Sequence, residues 1–194
     1  MRLSSFKQRN CFQIRCTSLT CRKFQSMKRF SIYPILILIS IVLWGCPYKS
    51  SVPLSKASEY VNKQVLGKWI PKTQSLKENP EYYLIEKRDS VHYDVEHFQY
   101  NDKEGGYASK NYICWSTNID GYMFLNVQES GQTEITLHRL DVRSDELMIL
   151  SEVTSNIDEK FDNSADMYEF FDKYKSLSFF YTAETVKLIP FPKE

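Results

Sequence analysis

Through the middle of the chain, apolar and polar residues alternate in short runs broken by turn residues. The run Val91 to Phe98 places Val91, Tyr93, Val95 and His97 on one face and His92, Asp94, Glu96 and Phe98 on the other. That period of two marks a half-buried strand. Further strands are expected at Tyr82–Glu86, Tyr107–Thr117, Tyr122–Gln128, Glu134–Val142 and Glu146–Val153. Between them stand Gly105-Gly106, Asn118-Ile119-Asp120-Gly121, Ser130-Gly131 and Ser144-Asp145, and Asp-Gly is a strong hairpin signal. Short strands with turn signals at this spacing predict an all-β fold, an antiparallel meander that closes into a barrel or folds as a sandwich.

One helix interrupts the alternation near the C-terminus. Met167, Phe170, Phe171 and Tyr174 follow a helical period, Asn163 or Ser164 can cap the N-terminus, and Asp166 suits the positive end of the dipole. This aromatic stripe reads as packing against the sheet. The chain becomes strand-like again from Ser178 through Leu188. Ahead of the strands, Lys56 to Gln64 form a polar lead-in with helical character.

The N-terminal part follows different rules. Residues Ile35 to Trp44 are almost wholly apolar, follow Met27-Lys28-Arg29, and end at Gly45-Cys46-Pro47. A basic flank, a short apolar stretch and a small residue describe a secretory signal, whereas a spanning helix needs about 20 apolar residues. Residues 1–45 are therefore expected to be a signal peptide, with Met27 as a candidate true start. Residues 46–65, opening with two prolines and three serines by Ser55, read as a tether, and residues 66–194 as the β domain.

Leu43-Trp44-Gly45-Cys46 resembles the lipobox of bacterial lipoproteins. The resemblance implies a covalent diacylglycerol and an N-acyl chain on Cys46, cleavage before that residue, and a membrane held through lipid. Two or three chains anchor a protein firmly where one holds it marginally. No acidic cluster follows Cys46, which points to the periplasmic face of a bacterial outer membrane. Gly67-Lys68-Trp69, at the start of the first long strand, is similar to the Gly-x-Trp of lipocalins and lipocalin-like lipoproteins, where the Trp plugs the closed end of a barrel. That likeness covers about residues 66–189.

Charge separates the two segments. All of the first 46 residues' charge is basic, eight Lys or Arg, so the whole-chain balance of +1 becomes −7 once they are set aside. An acidic domain is a poor fit to nucleic acid. Cys11, Cys16 and Cys21 lack the paired spacing of a zinc site. Cys114 has no disulfide partner once Cys46 carries lipid, and it reads as a small buried hydrophobe. His92, Asp94 and Glu96 share one strand face and could hold a cation, although such alternation more often marks a solvated face. The remaining histidines, His97 and His138, suggest no site, and no catalytic motif occurs.

The sequence thus points to a non-enzymatic, membrane-anchored envelope lipoprotein that binds a small apolar ligand or lipid in a barrel cup. Tyr93, Tyr107, Trp115, Tyr122 and Phe124 are the expected lining, with no metal and no cofactor beyond the lipid on Cys46. The alternative is a structural or assembly accessory of the envelope that docks on a protein partner.

Overall fold

A computed structural model describes residues 48–157 and 159–192. The signal segment, the lipobox residues Leu43, Trp44 and Gly45, and Cys46 lie outside the described residues. Nine strands are described: β1 (Lys49–Ser50), β2 (Gly67–Pro71), β3 (Tyr82–Lys87), β4 (His92–Asn101), β5 (Gly106–Ile119), β6 (Tyr122–Glu129), β7 (Ile135–Ser144), β8 (Leu147–Val153) and β9 (Tyr181–Pro190). A single α-helix, α1 (Ser164–Tyr174), lies between β8 and β9.

Each strand from β2 to β8 pairs antiparallel with the next, and β9 inserts between β8 and β2. The meander is thereby a closed eight-stranded barrel, which settles the choice between barrel and sandwich. The strand added after the helix is the one that shuts it. The β5–β6 hairpin turns on Asp120 and Gly121, both at positive φ (48° and 83°), the two-residue geometry that Asp-Gly favours. Asn163 caps α1 by accepting a hydrogen bond from the Asp166 N–H.

Alternation along the strands produces two apolar clusters. One takes residues from every barrel strand, including Trp69, Ile85, Tyr93, Cys114, Leu125, Leu140, Met148 and Leu188, and so occupies the lumen. The other joins Trp115, Ile119, Phe124, Ile135 and Leu137 to Met167 and Phe171 of α1 and to Leu54. These strand residues alternate with the lumen set, so the second cluster sits on the outer wall of β5, β6 and β7, beneath the helix. Fully burying a large apolar side chain contributes roughly 1.5–3 kcal/mol, so the outer cluster is a second core.

Within residues 46–65, read from sequence as a tether, those from Tyr48 to Ser55 dock on the outer wall. β1 pairs with the first residues of β7, and the Tyr48 N–H donates to the Val153 carbonyl at 3.0 Å. Leu54 is fully buried, and its N–H donates to Asn126 Oδ1 at 2.7 Å. Trp115 Nε1 donates to the Ser55 carbonyl, and the Ser164 hydroxyl donates to the Pro53 carbonyl. Pro53 does not prevent docking, because the wall and α1 supply partners for the neighbouring backbone groups. The expected helical lead-in is likewise reduced to one 3-10 turn, Lys63–Val65, capped by Asn62.

Asn126 is the hinge of this arm. Its Nδ2 donates to the Trp115 carbonyl and to Thr117 Oγ1, while its Oδ1 holds the arm. Asn126→Ala leaves the buried Leu54 N–H without a partner and is expected to cost roughly 2–3 kcal/mol. Urea unfolding of the variant against the parent checks this, with faster amide exchange expected over residues 50–57.

Candidate functional site

The lumen is plugged at one end, and its inward side chains gain solvent contact toward the other. At the plugged end Gly67 takes φ +126°, a region open to glycine, which lets the chain swing Trp69 inward. Trp69 is 3% exposed and its Nε1 donates to the Val65 carbonyl at 2.9 Å. Val65 in the 3-10 turn and Leu188 on β9 pack with it. Tyr93 closes the layer, its hydroxyl accepting the Asn62 N–H at 2.8 Å.

Toward the other end the inward side chains lose their cover. Val95, Tyr112, Leu125, Val127 and Leu150 face the lumen but are only half-buried, and Val186 is 40% exposed. These residues lie toward the mouth of the barrel, where inward side chains keep solvent contact. The β2–β3 loop and the tip of the β4–β5 hairpin form part of the rim. A polar cleft of about 510 Å³ lies there, lined by residues that include Gln74, Lys77, Glu81, Gln99 and Asp102.

Glu81 fastens this rim loop to the wall. Its carboxylate meets His97 Nε2 at 2.7 Å and accepts the Tyr83 hydroxyl at 3.3 Å, and the Tyr83 ring stacks on the His97 ring at 4.3 Å. Burial, then the neighbouring Glu81 charge, pushes the Tyr83 phenol well above its usual range. His97 faces inward as its strand alternation predicts. On the opposite wall His138 and Glu152 are cross-strand neighbours on β7 and β8, pointing into the lumen beside Leu125 and Leu150. Burial depresses the His138 imidazole to about 4 and raises the Glu152 carboxyl.

The expected cavity lining is largely relocated. Tyr93 is inward but forms part of the plug, 1% exposed. Trp115 and Phe124 point outward into the core beneath α1. Tyr122 is also on the outer wall, under the Arg139 guanidinium at 4.6 Å. Tyr107 stands outside on a cluster with Tyr82, Phe98 and Tyr100, at centroid distances of 5.3 to 6.5 Å. The inward set toward the mouth is mostly aliphatic, with Tyr112 among it, and the polar residues Glu81, Tyr83, His138 and Glu152 escaped the sequence reading. For His138 the signal was present: it shares a strand face with Leu140, opposite Leu137, in a strand otherwise rich in core residues.

His92, Asp94 and Glu96 share an outward face, but His92 pairs with Asp89 and Asp94 with Arg88. Among the described residues no group of three His, Cys, Asp or Glu side chains is placed to hold a metal. Cys114 is 3% exposed, and burial pushes its thiol up to about 12. No helix among the described residues is long and apolar enough to cross a membrane. The chain matches no protein-family model, no curated protein and no solved structure.

Two predictions follow from these side chains. Cys114 stays unreactive to a thiol reagent in the native state at pH 8 and reacts fully on unfolding. His138 resists protonation only when folded, so the unfolded chain binds more protons between its ordinary value of 6.5 and about 4. Stability is therefore complete above that window and falls as pH drops through it, by roughly 2–3 kcal/mol from this residue. Carboxylates add acid sensitivity of their own, so the readout is the difference between the parent and His138→Gln. The variant's stability should fall less over pH 6.5 to 4, and equal slopes would refute the assignment.

Proposed function

We propose that the chain is a bacterial envelope lipoprotein, cut before Cys46 and held in the outer membrane by lipid, whose barrel binds a small apolar ligand without catalysis. The observation that supports the binding half is a largely aliphatic inward wall, half-buried and in contact with solvent, above a plug built on Trp69. Concave apolar sites with few polar groups are the usual form of small-molecule pockets. The Gly67-x-Trp69 likeness to lipocalins is consistent with this reading. The anchor half rests on the lipobox resemblance at Leu43 to Cys46.

A docking accessory is the second reading, and the outer-wall aromatic cluster favours it. Tyr82 stacks on Phe98 at 4.5 Å, Phe191 adjoins Tyr82 at 5.6 Å, and Tyr107 is 41% exposed. Such a patch suits a protein surface.

Mass spectrometry of the chain isolated from bacterial membranes tests both halves. The anchor predicts a polypeptide starting at Cys46 with the added mass of a diacylglyceryl group and an acyl chain, and Cys46→Ser should leave the full precursor unmodified. The cup predicts a reproducible non-covalent mass under native conditions that disappears on denaturation. An unmodified Cys46 refutes the anchor. A clean apo mass that persists after incubation with envelope lipid extract refutes the cup and leaves the docking reading.

A further inference from the structure

The docked arm leaves almost no chain between the barrel and its anchor point. Cys46 stands two residues before Tyr48, and two residues of extended chain reach at most about 7 Å. Tyr48 itself is fixed, because its N–H donates to the Val153 carbonyl at 3.0 Å and its ring is buried in the outer core. The same peptide unit donates from the Thr154 N–H to the Phe180 carbonyl at 3.1 Å. Tyr48 and Phe180 therefore flank one peptide just past the end of β8. That sets the anchor point beside the 3-10 turn Ser178–Phe180. Phe180 is buried there, but its neighbour Phe179 is 63% exposed, and Leu177 is exposed with it.

β8 ends at the mouth of the barrel, the end that also carries the β2–β3 and β4–β5 connections. In the β2–β3 loop Leu76 is 99% exposed, and the 3-10 turn of that loop, Lys72–Gln74, lies against β9. Single exposed apolar side chains are ordinary on a soluble surface, but beside a lipid anchor they acquire a partner. Resting on the anchor reading above, we propose that the barrel lies directly on the bilayer, with the β8–β9 side of its mouth end against the headgroups. Leu177 and Phe179 enter the headgroup region, and Leu76 faces it. A free arm would let the domain tumble above its anchor, and docking of Tyr48 to Ser55 removes that freedom. The contact is apolar rather than electrostatic, since the chain after Cys46 is acidic overall and bacterial anionic lipids would repel it.

The test uses the full chain, processed in bacteria and purified with its lipid, with intact mass confirming the modification of Cys46. A bimane dye is attached through Ser178→Cys, in the turn, or through Glu146→Cys, between β7 and β8 at the opposite end. Both positions are exposed, and Cys114 is buried away from the reagent. Each protein is inserted into vesicles of phosphatidylethanolamine and phosphatidylglycerol, with and without a lipid that carries a nitroxide quencher on its headgroup. Dye at Ser178→Cys is expected to be quenched at least about threefold more than dye at Glu146→Cys, as befits a group at headgroup depth. Combining Leu177→Ser and Phe179→Ser should reduce the quenching at Ser178→Cys while the lipid keeps the protein on the vesicles. Equal quenching at the two positions, or stronger quenching at Glu146→Cys, overturns the orientation and leaves the anchor standing. Quenching that the double substitution leaves unchanged overturns the role of Leu177 and Phe179. An unmodified Cys46 overturns the anchor and the orientation together.

Discussion

Closure of the sheet by β9 is the constraint on which everything else depends. Only three residue pairs join β9 to β2, Trp69 with Pro190, Ile70 with Ile189 and Pro71 with Leu188, yet this seam turns an open sheet into a barrel. Without it, β2 and β8 would each present a row of unpaired backbone groups. The inward face of all eight strands would also be open to water. The seam places Leu188 beside Trp69, so closing the wall and plugging its end are the same event. Its partners come from opposite ends of the domain, so the pairing costs the loop entropy of nearly the whole chain and is expected to form late.

The barrel has a second apolar surface, and that determines its asymmetry. β5, β6 and β7 bury both faces, one in the lumen and one beneath α1 and the docked arm. Phe171 and Phe124 meet edge to face at 5.4 Å across the outer seam, and fully buried Asn126 accepts the Leu54 N–H of the arm. From this doubly buried wall His138 faces inward.

This division explains what the amino-acid pattern could and could not convey. Strand positions followed from alternation, the Asp120-Gly121 turn from its residue pair, and α1 from Met167, Phe171 and an Asn163 cap. The face of each aromatic did not follow. Alternation says that Cys114 and Trp115 point opposite ways, but with apolar residues on both sides of β5 it does not say which way is inward. Trp115 and Phe124 were therefore placed in the cavity, when a larger outer core claims them. The arm misled for a related reason. Its prolines and serines resemble a linker, while Tyr48, Val52 and Leu54 are the residues that dock. The pairing of the polar lumen groups was not legible, because strand register alone brings Glu81 to His97 and sets Glu152 opposite His138, and no short spacing announces either.

The account depends on an inner wall that is hollow and an outer core that is not. Methyl-selective nuclear magnetic resonance of the full chain, with an added protonated decan-1-ol probe, separates the two directly. Contacts from the probe to the methyl groups of Leu125, Leu150 and Val186, with none to Leu54 or Leu137, are the predicted result. Contacts confined to the outer aromatic cluster, or an inner wall whose methyl groups see only one another, would contradict the cup.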